Sequence, residues 1–230
     1  MSMDMNDATT GLSFLEKVIL LALNDKGWFG NSEHKIKFGL AGAILFELFK
    51  HDRIEIRENV VVIKDTTPLN DPILDRVLEL LQSVKKQRSI RTWIQRMVYK
   101  KMMIRKTIIR SLMAKKIVRK EEYNLLWVMY QFKYPIVNAE IKHQVQEELY
   151  LKILKDEMLT GHDLMMIAVM DSCKMVRKNF RTFEHHVRVR RKIHEILRFQ
   201  NPALEDAKLI SMINSSIRRA IAASNVAIHA

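Results

Sequence analysis

Arg105 stands where a guanidinium is hard to leave without a partner. On a helical wheel for residues 101–116 it falls between Ile109 and Leu112, in an apolar arc completed by Ile104 and Ile108, while Lys106 and Arg110 lie on the opposite, polar side. A guanidinium in such an arc must run out to solvent along its own stem, pair with a carboxylate, or meet a ligand. A phosphate suits it, because the planar fork can give two charge-assisted hydrogen bonds to the oxygens. Lys101 and Lys106 flank it in sequence and would share the anion. The alternative is an internal ion pair, with Glu47 or Asp75 as the acid.

The surroundings of Arg105 favour an anion. Residues 83–120 hold fourteen Lys and Arg and no Asp or Glu, against a net charge of +13 for the whole chain of 230 residues. The other 192 residues carry 25 basic and 26 acidic groups, a net of −1. So many like charges in one segment repel one another unless an anionic partner relieves them. The segment is folded, since Ile90, Trp93, Ile94, Met97, Ile104, Ile108, Ile109 and Leu112 recur through it at helical intervals. Its candidate basic surface comprises Arg91, Arg96, Lys100, Arg110, Lys115, Lys116, Arg119 and Lys120. A second basic stretch, Lys174 to Arg198, has nine Lys or Arg, two Glu, and His185, His186 and His194. It either extends the same surface, grips nucleic acid, or is one exposed helix face.

Immediately after the basic segment, Leu125-Leu126-Trp127-Val128-Met129-Tyr130 is apolar on both faces of a strand, with Arg119, Lys120 and Lys133 on either side. A hairpin tip carrying Leu125, Leu126 and Trp127 above a basic collar would insert into a lipid headgroup layer, where Trp is suited to the interface. The competing reading is a strand buried on both faces.

Other chemistries find little support. There is no Walker loop, no dinucleotide fingerprint and no GxSxG, and the one cysteine, Cys173, has no activating neighbour in sequence. The histidines lack HExxH spacing or a cysteine pair, so neither a metal nor another cofactor is expected. The reading is a non-enzyme. A lone cysteine suits a reducing cytoplasm. The first ten residues, MSMDMNDATT, have no basic or apolar region of the kind that leads secretion. The longest uncharged runs, Phe38–Phe46 and Tyr123–Phe132, are roughly half the ~20 residues a spanning helix requires.

The elements that must position these groups are mostly helical. Six Gly and four Pro interrupt the chain, and 48% of it is hydrophobic. Helices are predicted over Ser13–Leu23, 33–50, from Pro72 to about Lys86, near 89–99 and 101–116, and in pieces near 139–156, 161–175, 184–200 and 204–226. Asp71 is placed to cap the helix that begins at Pro72. The small residues Gly39, Ala41, Gly42 and Ala43 let the second helix pack closely. Two hairpins are predicted, over Arg53–Ile63 and Ile117–Pro135. The expected fold is a mainly α, single-domain helical bundle over 12–230 with two short β-hairpins, one of them protruding, after a flexible N-terminus at 1–11.

Five ordered blocks of this chain resemble the Golgi phosphoprotein 3 family: LEKVILLALNDKG at 15–27, GLAGAILFELFKHDRIEI at 39–56, DTTPLNDPILDRVLELL at 65–81, RTWI at 91–94 and SLMAKKIVRKEEYNLLW at 111–127. The resemblance implies a helical bundle with a membrane-facing hairpin. It also implies a peripheral membrane protein on the cytoplasmic face that binds phosphatidylinositol 4-phosphate and serves as an adaptor for membrane enzymes such as glycosyltransferases. The headgroup-binding Trp and three Arg of eukaryotic members fall on Ser32, Ala41, Met102 and Arg105, of which only Arg105 keeps its type. The implied partner is therefore acidic lipid in general, with no strong selection of one phosphoinositide. Two other classes compete, a nucleic-acid-binding protein using the same basic helices and an assembly module meeting an acidic protein.

Overall fold

Ser13 begins the described fold as a reciprocal cap. In a computed structural model of the protein, residues 11–100, 103–125, 129–155, 159–182, 184, 186–198 and 205–226 are described. The Ser13 hydroxyl accepts from the Glu16 N–H and the Glu16 carboxylate from the Ser13 N–H, so two of the unpaired donors at the start of helix α1, Phe14–Ala22, are satisfied together. The helix is apolar on nearly every side and accordingly buried. Its stop is a loop in which the Asn24 carboxamide accepts from Lys26 and Trp28 N–H, with Gly27 at φ +81°.

Helix α2, Glu33–Lys50, is the central element, and eleven of its eighteen residues are buried. A helix apolar all round belongs in the middle of a bundle. Around it pack α1, α3 (Pro72–Gln82), α4 (Ile90–Tyr99), α5 (Ile104–Ala114), α7 (Gly161–Ser172) and α10 (Glu205–Val226). The small residues of α2 work as expected: a Cβ on Gly39 would stand 2.6 Å from Cys173 Sγ, and one on Gly42 2.5 Å from Ile217 Cδ1. Helices α6 (Ala139–Leu154), α8 (Val176–Phe180) and α9 (His186–Arg198) form a second layer against α1 and one another. Buried apolar residues from Leu12 to Ile221 make one cluster.

Two small antiparallel sheets complete the fold, which is mainly α, with ten α-helices among the described residues. In the first, β1 (Ile54–Arg57) and β2 (Val60–Ile63) turn at Glu58 and Asn59, both at positive φ as a two-residue hairpin requires. A third strand, β3 (Arg88–Ser89), pairs with β2. The sequence reading placed Arg88 and Ser89 in or beside helices. Instead α3 ends at Gln82, and Ser89 both closes the sheet and caps α4 through the Thr92 N–H. The second sheet is the hairpin of β4 (Glu121–Leu125) and β5 (Met129–Lys133). Asp71 caps α3 as expected, accepting from the Ile73 and Leu74 N–H groups at 2.7 and 2.9 Å. The short helix α8 was not foreseen. Of the N-terminal segment only Gly11 lies within the described residues, and its carbonyl accepts from Lys115. No helix among the described residues is long and apolar enough to cross a membrane.

Candidate anion-binding interface

Helices α4 and α5 divide the basic segment into an inner and an outer side. Ile90, Trp93, Ile94 and Met97 of α4, and Ile108, Ile109 and Leu112 of α5, are buried, and the cations between them are turned outward. Arg91, Lys100, Lys106, Arg110 and Lys116 are exposed and have no ion pair among the described residues. Arg96 is half-buried, with its guanidinium 5.7 Å from the centre of the Trp93 ring. Lys101 and Met102 lie outside the described residues.

Other cations of the segment are committed to the fold. Lys115 donates to the buried Glu16 carboxylate at 2.7 Å, which Ser111 Oγ also reaches at 2.7 Å. Burial alone would raise the Glu16 carboxyl, but the bonds from Lys115, Ser111 and the Ser13 N–H outweigh it and hold the group below its ordinary 4.5. Arg119 and Lys133 clasp Glu121, and Lys120 lies over the Phe132 ring, 3.7 Å from its centre. Lys115 and Arg119 are thus partly neutralised members of the basic surface.

Arg105 is half-buried. Its Nη1 donates to Glu33 Oε1 at 3.2 Å and its guanidinium stacks 4.9 Å from the Phe29 ring centre. The acid is Glu33, not the expected Glu47 or Asp75. Glu47 is engaged by His162 at 2.8 Å, and Asp75 accepts from the Leu69 N–H at 2.7 Å. Glu33 is 60% exposed, so the pair is an open one of small energetic weight. Nε and Nη2 have no protein acceptor among the described residues.

The turn Phe29–Glu33 links Arg105 to the second basic stretch. Ser32 is buried, donates to the Phe29 carbonyl at 2.7 Å and accepts from Lys178 Nζ at 2.8 Å. The Lys178 stem runs exposed along α8 while its ammonium turns inward, where it also reaches the carbonyls of Ala22 and Phe29. Burial, helped by the nearby Lys142 charge, pushes Lys178 down to about 8. Sequence reasoning missed Lys178. It was one cation among nine in its stretch, and nothing in the spacing tied it to a turn 146 residues away. Ala41 is fully buried in the core wall of α2 and offers no surface to a headgroup.

The second hairpin is held at its base. Tyr134 N–H donates to the Gly27 carbonyl at 2.9 Å, Arg119 N–H to Pro135 at 3.0 Å, and Val137 N–H to Ile117 at 2.8 Å. A Cβ on Gly27 would come within 2.2 Å of the Pro135 nitrogen, so only glycine admits this contact. Trp28 meets Tyr123 edge to face, with ring centres 5.7 Å apart. Beyond this base, among the described residues, β4 and β5 pack mainly against each other. Tyr123 and Phe132 are exposed large side chains. The backbone of Leu125 closes the described ladder opposite Met129. Leu126 and Trp127 lie outside the described residues.

A cavity of about 490 Å³ opens elsewhere, between α1, α2, α6 and α7. Its hydroxyls and charges are largely spoken for: Ser13 and Thr160 are helix N-caps, Glu47 pairs with His162, and Lys152 bridges Glu148 and Asp163. Cys173 is fully buried and its thiol is pushed up to about 12 by that burial, far from the range of a reactive thiolate. No group of metal-ligating side chains occurs among the described residues. The sequence profile of the family described as Golgi phosphoprotein 3 (GPP34) matches residues 15–215 of the chain.

Proposed function

The chain belongs to the Golgi phosphoprotein 3 family, and from that premise we propose that it is a peripheral membrane protein, docking on anionic lipid through the α4–α5 face and the β4–β5 hairpin. The observation that carries the reading is the set of unpaired, exposed cations Arg91, Lys100, Lys106, Arg110 and Lys116 beside a hairpin that stands off the helical body. At about 1 kcal/mol for each basic residue near an anionic surface, five such groups are enough for reversible docking. Arg105 is the headgroup ligand, exchanging its open pair with Glu33 for two bonds to a phosphate, and Lys101 and Lys106 add positive charge to the same acid-free segment. The family's headgroup-binding Trp and two of its Arg are replaced in this sequence by the uncharged Ser32, Ala41 and Met102, so acidic lipids in general are bound and phosphatidylinositol 4-phosphate is not singled out. Leu125, Leu126 and Trp127 enter the headgroup layer.

The protein acts without catalysis, as an adaptor on the cytoplasmic face of a membrane, with membrane enzymes such as glycosyltransferases as its clients. Family membership alone supports the adaptor role and the choice of client. The test is co-sedimentation with vesicles of phosphatidylglycerol or phosphatidylinositol 4-phosphate in neutral lipid, with duplex DNA as competitor. Binding to both vesicles is expected, weakened several-fold by Arg105→Ala without loss of fold. DNA that displaces the protein completely, or a variant that binds as the parent does, counts against the reading.

A further inference from the structure

Basic side chains spaced four residues apart at the end of α8 and at the start of α9 line one cavity between the two helices. Arg177 and Arg181 from the α8 side, with His186 and Arg190 from α9, line a cavity of about 260 Å³ whose remaining walls are Val176 and Phe180. No carboxylate lines it among the described residues. None of the three guanidiniums, nor the His186 ring, has a hydrogen bond or ion pair among the described residues, although acidic partners occupy other arginines such as Arg53, Arg119 and Arg218. Three guanidiniums around one cavity repel one another unless an anion relieves them.

The arrangement is preformed. Phe180 is buried against the Tyr150 ring, with centres 6.4 Å apart, and the Tyr150 hydroxyl donates to the Glu184 carbonyl, tying Glu184 to α6. The buried Asn179 side chain donates to the carbonyls of Leu21 at 3.0 Å and Met175 at 2.9 Å, and accepts from Gln146 at 2.9 Å. On the other helix Val189 and Ile193 are buried against α6, which sets Arg190 at the border of the apolar stripe. The cationic side chains therefore stand on anchored backbone, and an anion that enters meets donors already gathered.

We propose that the cavity between α8 and α9 binds a phosphate monoester, with Arg177, Arg181 and Arg190 as charge-assisted donors and His186 as a further donor. A doubly charged tetrahedral group matches three planar forks around one cavity better than a singly charged diester or carboxylate does. The monoester comes from a lipid headgroup or from a soluble phosphate ester, which share this chemistry. The site is separate from the α4–α5 face and stands or falls without it.

The test uses the full chain and two probes at constant ionic strength: glycerol 3-phosphate in solution, and vesicles containing phosphatidic acid compared with phosphatidylglycerol at equal surface charge. Calorimetry should show saturable one-site binding of glycerol 3-phosphate. Replacing Arg181 and Arg190 together by Gln should weaken it by at least about tenfold, while Arg57→Gln on the β1–β2 hairpin should leave it unchanged. The double variant should melt no lower than the parent, since it removes like charges. Should it fail to fold, Arg177→Gln alone gives the same reading with a smaller loss. Preference for phosphatidic acid that vanishes in the double variant assigns the lipid as source, and soluble binding without such a preference assigns the free ester. Equal binding of glycerol 3-phosphate by parent and variant, or no saturable binding of either probe, overturns the proposal.

Discussion

The two hairpins leave the helical body alike, as antiparallel strands of four or five residues, and meet opposite surroundings. The first lies against α2, buries Ile54 and Val61, and has the free edge of β2 covered by β3. The second, among the described residues, is fixed near Gly27 and Ile117, and shows Tyr123 and Phe132 to its surroundings amid Arg119, Lys120 and Lys133. Apolar strand residues are thus common to both. What differs is whether the body supplies a surface to cover them, and where it does not, a collar of cations takes its place. Stability should therefore reside in the first hairpin and membrane affinity in the second.

The largest effect should come from the first. Ile54→Ala removes a side chain that is 1% exposed and leaves a cavity beside α2, so a loss of about 2–5 kcal/mol is expected in denaturant unfolding. Membrane affinity of the molecules still folded should be unchanged. The second hairpin should respond in reverse. Replacing Leu125, Leu126 and Trp127 by Ser should lower vesicle affinity by at least about tenfold, since partial burial of three large apolar groups contributes on the order of a few kcal/mol. The unfolding midpoint and any retention on DNA should stay near those of the parent. If this triple variant unfolds, the second hairpin is core and the contrast disappears.

A smaller effect separates cations that hold the fold from cations that face outward. The Glu16 carboxyl sits below its ordinary 4.5, so its contribution is complete above that value and is lost as pH falls through the lower folded-state value. Lys115→Met should remove the largest lowering contribution, flattening the fall in stability below about pH 4.5 and costing stability at neutral pH. Lys106→Met should do neither, and should reduce vesicle binding instead.

Periodicity and caps made much of this fold legible. Ser13, Asp71 and Pro72 announce helix starts, and the small residues from Gly39 to Ala43 announce a closely packed second helix. Local signals end where a contact is long-range or the local chemistry is neutral. Residues 83–89 are polar apart from Val84 and without a β-branched pair, so nothing marked Arg88 and Ser89 as a strand, which forms against the edge that β2 offers. Helix α8 is five residues long, too short for a period, and is held by Asn179 reaching Leu21 and Met175. For the candidate site, the outward direction of Lys106 and Arg110 could be read from the wheel. The partner of Arg105 could not, because Glu33 lies 72 residues away and the wheel is silent about which acid the bundle brings near. Lys178 was hidden for the same reason.

Insertion of the second hairpin is the claim on which the functional account turns, and Trp127 reports on it directly. With Trp28 and Trp93 replaced by Phe, Trp127 is the one indole left in the chain. Titrating this variant with phosphatidylglycerol vesicles should shift its emission to the blue and shield it from an aqueous quencher, and neutral vesicles should do so far less. Unchanged emission at vesicle concentrations that sediment the protein would contradict the account, leaving electrostatic contact alone to explain the binding.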